Sequence, residues 1–166
     1  MRPSKALGPV AVTALAAVLA CAPFAQADTP DLDASLSGDG GKVIKLVAVP
    51  TQSAYLPLGV LGDSAPLGDE YVFADELFHD GTSVGSDGVV CTVFSTTPDL
   101  AQCEATLHLP KGDITLQGIA PLTEDFPSKF TFAITGGTGS YHNARGYLDG
   151  VNVSQTQTDL TLHLSK

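Results

Sequence analysis

CEATLHLPKGDITLQGI, Cys103 to Ile119, reads as two strands joined by a turn. Cys103, Ala105, Leu107 and Leu109 alternate with Glu104, Thr106 and His108, and a side-chain period of two belongs to a strand with one buried face. PKGD at 110–113 supplies the tight turn. The same grammar recurs along the chain. Apolar runs at 43–49, 70–78, 88–95, 103–109, 113–119, 129–135, 144–153 and 158–164 are separated by turn residues, and none keeps a helical period. In the last run Leu160, Leu162 and Leu164 share one face while Thr161 and His163 share the other.

Eight strands with mostly short connections predict an eight-stranded antiparallel up-and-down β-barrel, which closes the sheet and leaves no free edge. A two-sheet sandwich is the alternative from pattern alone. STTPDLAQ at 95–102 is expected to be a longer hairpin loop. If residues 95 and 99 face each other across it, Cys91 falls opposite Cys103, within reach of a disulfide. The segment 50–69, with three prolines, is expected to be a loop that covers a barrel mouth.

Ahead of the strands, residues 1–27 have a short basic start (Arg2, Lys5), an apolar run too brief to span a bilayer, and AQA before Asp28. That is the pattern of a secretory signal peptide, and it predicts an extracellular protein. Cys21 in VLAC loosely matches a lipoprotein processing site, which makes lipid anchoring the alternative. Residues 28–41, acidic and glycine-terminated, read as a flexible linker, leaving 42–166 for the barrel. Loss of the leader removes two of eight basic residues and none of the 18 acidic ones, so the mature chain carries a formal charge of −12. Such a surface repels nucleic acid. In an oxidising compartment Cys91 and Cys103 are expected to pair.

The glycine-rich stretch AITGGTGSYHNARGYLDG, 133–150, has neither phosphate-loop nor dinucleotide spacing, and reads as a turn between strands. His79, His108, His142 and His163 lack ligand spacing, so neither a metal nor any other cofactor is expected. NVS at 152–154 has the form of a glycosylation acceptor. On the run 70–78, Asp75 shares a face with Tyr71 and Phe73, and Glu76 lies on the other; one of the two carboxylates must point inward, where burial would raise its pKa. Arg145, Tyr147 and Asp149 share a face that is either an internal polar cluster or a solvated outer stripe.

Three blocks in order, GDEYVFADEL with DGTSVGSDGVVCTVF (68–94), CEATLHLPKGDITLQG (103–118) and TEDFPSKFTFAITGGTGSYHNARGYL (123–148), resemble the allene oxide cyclase barrel-like family, related to plant dirigent proteins. The resemblance implies a barrel around a central apolar cavity that holds a hydrophobic small molecule in one reactive conformation, as an isomerase or cyclase, or alternatively as a dirigent-like guide or carrier. Relatives form trimers, which implies a homo-oligomer. In dirigents the arginine of the ARG triplet points into the cavity, and Arg145 holds that position. The candidate catalytic groups are therefore Arg145, Asp75, Glu76 and Tyr147, with Tyr71, Phe73, Phe130, Phe132 and Asp149 binding the ligand. Allene oxide cyclases carry a glutamate and an asparagine on the first strand; KVIKLVAVP (42–50) has neither, so their own reaction is not implied. The cyclase-type cysteine matches Cys91, here expected to be structural.

Overall fold

Every run of alternating residues forms a strand, and the strands follow one another round a closed sheet. The computed structural model describes residues 35–36, 41–58, 67–123 and 125–165. Its strands are β1 (Ser35–Leu36), β2 (Lys42–Leu56), β3 (Glu70–His79), β4 (Thr82–Thr96), β5 (Asp99–Leu109), β6 (Gly112–Pro121), β7 (Ser128–Gly137), β8 (Gly146–Ser154) and β9 (Gln157–Leu164). Each pairs antiparallel with the next, and β2 also pairs with β9, from Lys42 opposite Leu164 to Ala48 opposite Thr158. That last pairing closes β2 to β9 into an eight-stranded barrel and excludes the sandwich.

The alternation decides what fills the barrel. Ile44, Leu46 and Ala48 of β2, Leu77 of β3, Leu107 of β5, Ile114 of β6 and Leu160, Leu162 and Leu164 of β9 are buried. Full burial of one such leucine or isoleucine contributes about 1.5–3 kcal/mol. Their concentration toward the β2 start and β9 end packs that end of the barrel solid. The glycine-rich stretch lies there as a turn: residues Gly139–Tyr141 form a 3-10 turn, and Tyr141, 6% exposed, plugs the end. Thr138 and Ser140 donate backbone hydrogen bonds to Asp113 and Lys111, tying this turn to the β5–β6 turn.

Several boundaries differ from the sequence reading. β1 lies within the expected linker and pairs with Lys42 and Val43 of β2; the rest of residues 28–40 and the leader lie outside the described residues. Residues 50–56, read as loop, extend β2 along β3, with a bulge between Pro50 and Gln52. Residues 59–66 of the same segment lie outside the described residues. The β4–β5 connection is tighter than expected, only Thr97 and Pro98 between Thr96 and Asp99, joined by a cis peptide bond. Ser95 therefore faces Leu100, and a bulge after Val93 restores the register that sets Cys91 opposite Cys103. The two cysteines are joined in a disulfide, Cα atoms 4.0 Å apart.

Candidate active site

The solid packing stops at mid-barrel, and the other half holds a cavity of about 680 Å³. Two strands place its most polar groups. Tyr71, Phe73 and Asp75 point inward from β3, and the register sets them opposite Cys91, Val89 and Asp87 of β4. Asp75 and Asp87 are thus direct cross-strand neighbours inside the barrel. Both sulfurs of the Cys91–Cys103 bridge belong to residues of the same wall.

The facing wall is aromatic. Phe130 and Phe132 of β7 line the cavity with ring centroids 4.7 Å apart. Each ring lies over a glycine on a neighbouring strand. A Cβ on Gly150 would stand 2.1 Å from Phe130 Cζ, and one on Gly118 would stand 2.3 Å from Phe132 Cδ1. The absent side chains let the rings lie back against the sheet and leave the interior open. Phe126 and Gln155 sit exposed at the rim.

Asp87 is only 8% exposed, and among the described residues none that lines the cavity is basic. One oxygen of each carboxyl, Oδ1, is buried without a hydrogen-bond partner. Burial is the main cause that raises the pKa of Asp75. Burial first, and then the charge of Asp75, push Asp87 up to about 7. Two neighbouring carboxyls without a cation cannot both ionise cheaply, so near neutral pH the pair holds one proton between them. Such a pair can donate a proton from one member and accept one on the other.

A second polar group stands on β8. The Asn152 amide lines the cavity; its Nδ2 donates to Ser128 Oγ at 3.0 Å and its Oδ1 accepts from Thr158 Oγ1 at 2.9 Å. Near the rim the fully buried Asp69 accepts from the Tyr55 hydroxyl and, at 2.9 Å, from the Leu58 N–H. The bond to Asp69 holds the Tyr55 hydroxyl protonated, with its pKa pushed up to about 12.

Of the residues expected at the site, Asp75, Tyr71, Phe73, Phe130 and Phe132 line the cavity together. The others do not. Glu76 points outward and accepts from Ser83 Oγ at 2.6 Å. On β8 the inward positions are Leu148, Gly150 and Asn152, so the odd-numbered residues face out. Tyr147 is 45% exposed and stacks on His163, and Asp149 accepts from Thr131 Oγ1 on the outer face, 3.4 Å from His163 Nε2. Arg145 precedes the strand and is exposed; among the described residues only its backbone carbonyl is engaged, by the Ser165 N–H. The Arg145, Tyr147 and Asp149 face is the outer stripe, which corrects the expectation of an inward cluster. NVS is no accessible glycosylation acceptor, because Asn152 is turned inward and hydrogen-bonded on both sides of its amide.

The comparisons with known proteins agree with this architecture. Residues 50–162 match the allene oxide cyclase barrel like domain, more than half of the chain. The chain belongs to that family. Among solved structures, a pyocyanin demethylase is 34% identical, with a TM-score of 0.65 over 74% of this chain and 99% of that one. An exo-specific intermolecular Diels-Alderase is 12% identical, with a TM-score of 0.62 over 75% and 97% of the two chains. A pterocarpan synthase dirigent protein is 17% identical, with a TM-score of 0.54 over 76% and 96%. The last two share the fold alone at that identity. No curated protein sequence matches the chain.

Proposed function

We propose that this member of the family is an exported enzyme of the isomerase or cyclase type, and that it holds a planar, largely apolar ring compound between Tyr71 and Phe73 on one wall and Phe130 and Phe132 on the other. The observation that carries the reading is the Asp75–Asp87 pair inside the cavity. One carboxyl gives its proton to a carbonyl oxygen or ring nitrogen of the ligand. The other, as carboxylate, takes a proton from a neighbouring position. The ligand leaves rearranged with its composition unchanged, and the pair again holds one proton, so no oxidant or metal is consumed. The aromatic walls supply orientation, which lowers the barrier by fixing one conformer. A 34% identical relative named for demethylating pyocyanin supports an aromatic ligand and a catalytic rather than storage role.

Arg145 has no part in this scheme, since it lies outside the cavity. A purely dirigent-like guide or carrier would use the same aromatic walls without the carboxyl pair. The two are separated by loading the purified protein with extract of the producing cells in D2O, then identifying retained compounds by mass spectrometry. Wild type is expected to return a ligand carrying deuterium at carbon, and Asp87→Asn the same ligand without it. A ligand retained and returned unlabelled by both would make the protein a carrier. Export is checked on the secreted product: its intact mass should start at Asp28 and lack two hydrogens for the disulfide, whereas membrane retention with a lipid on Cys21 would replace that reading.

A further inference from the structure

The carboxyl pair accounts for one side of the cavity and leaves Asn152 unexplained. An asparagine amide has two N–H donors and two lone pairs on oxygen. Ser128 takes one donor and Thr158 fills one lone pair. One N–H and one lone pair remain, on a side chain that lines the cavity. Exchanging the amide nitrogen and oxygen leaves the same remainder, because both flanking hydroxyls can donate or accept. The amide is held between β7 and β9, so its orientation is fixed before a ligand arrives.

Its position relative to the carboxyls follows from the register. Asp75 pairs with Pro50 of β2, and Thr158 pairs with Ala48 of the same strand. Asp75 and Thr158 therefore flank β2, two strand spacings apart, about 10 Å along the wall. Asn152 lies one strand farther round. A single small polar group cannot touch both stations, whereas a molecule of two or three fused rings can place one edge at each.

We propose that Asn152, held by Ser128 and Thr158, is the specificity-determining residue of the cavity, and that it selects fused-ring ligands bearing a hydroxyl at the end remote from the carboxyl pair. A hydroxyl both donates and accepts, which matches the one N–H and one lone pair that the amide offers. A half-buried amide that is covered and left unpaired by a ligand without that group would discriminate against it. The inference rests on the proposed function, since it requires a ring ligand in the cavity.

Three fluorescent probes test it: 6-hydroxyquinoline, with a ring nitrogen at one end and a hydroxyl at the other, quinoline, which lacks the hydroxyl, and 2-naphthol, which lacks the nitrogen. Fluorescence titration of wild type is expected to give 6-hydroxyquinoline about fivefold to tenfold tighter than quinoline, the worth of a hydrogen bond made inside the cavity. Asn152→Leu, close to isosteric, should erase that advantage, in part by tightening quinoline, which then leaves no amide unpaired. Thr158→Val keeps the amide but loosens it, and should lose part of the advantage even if Asn152→Leu fails to fold. An advantage that survives in the folded Asn152→Leu protein, is absent from wild type, or is untouched by Thr158→Val while Asn152→Leu cannot be folded, overturns the assignment and leaves the proposed function standing. Failure of all three probes to bind wild type would instead count against the ring-binding cavity itself.

Discussion

The carboxyl pair makes the barrel less stable as pH rises through neutrality, and the size of the effect follows from Asp87. In the unfolded chain its carboxyl ionises near 3.8; in the folded barrel it keeps its proton to about 7. Between those values the folded state binds more protons than the unfolded one, so the stability of the fold decreases with increasing pH. At about 1.4 kcal/mol per tenfold change in proton affinity, the whole difference is on the order of 4 kcal/mol. More than half of it, roughly 2–3 kcal/mol, falls between pH 5 and pH 8 by the same relation. Urea denaturation with the disulfide intact reads this directly. For a urea slope of roughly 2 kcal/mol/M, the midpoint should fall by more than 1 M from pH 5 to pH 8. Asp87→Asn, whose amide can donate to Asp75 as the protonated acid does, should lose more than half of that dependence and be the more stable protein at pH 8. Asp113, whose pKa is lowered chiefly by its hydrogen bond to His108, works in the opposite sense and below pH 4, outside the window. A wild-type midpoint that is flat or rises from pH 5 to pH 8, or a slope fully kept in Asp87→Asn, would mean that both carboxyls are ionised and hydrated in the folded protein, and the acid–base reading would fall with that result.

The other predictions concern the walls. Gly150→Ala should drive the Phe130 ring into the cavity and weaken 6-hydroxyquinoline binding at least tenfold, while overpacking costs roughly 1–3 kcal/mol in denaturation; unchanged affinity would show that the ring does not depend on its glycine seat. Replacing both Cys91 and Cys103 by serine should cost about 3 kcal/mol, because the bridge closes a loop of sequence separation 12, and urea midpoints of the two proteins check it. Arg145→Ala should leave probe affinity within twofold of wild type, and a larger loss would place its side chain in the cavity after all.

The barrel was legible because the inward faces of the strands are mostly apolar: Leu160, Leu162 and Leu164 could point only one way. The disulfide was legible for the same reason, although its supporting register was one residue out at the loop, where the bulge after Val93 compensates. The site was half legible. Both faces of the run 70–78 are apolar, Tyr71 and Phe73 beside Asp75 and Val72, Ala74 and Phe78 beside Glu76, so the pattern narrows the inward carboxylate to two residues without choosing between them. Asp87 was missed because it lies among Gly85, Ser86 and Gly88, residues that read as a turn ahead of the strand at 88. The signal available was its parity with Val89 and Cys91: once Cys91 faces inward, Asp87 must as well. NVS at 152–154 has the form of an acceptor but does not say which way Asn152 points; its parity with Leu148 and Gly150 does. Arg145 went wrong through analogy with relatives, since the sequence left its face open and the strand begins only at Gly146.

The disulfide has a consequence for the chemistry of the chamber as well as for its stability. Cys91 and Cys103 both belong to the cavity wall, so the redox state of the surroundings sets what a trapped molecule meets there. With the bridge reduced it would meet two soft nucleophiles, open to covalent attack on any electrophile held there. Joining the two sulfurs removes both nucleophiles from that wall. The bridge makes the lining inert toward whatever the chamber holds.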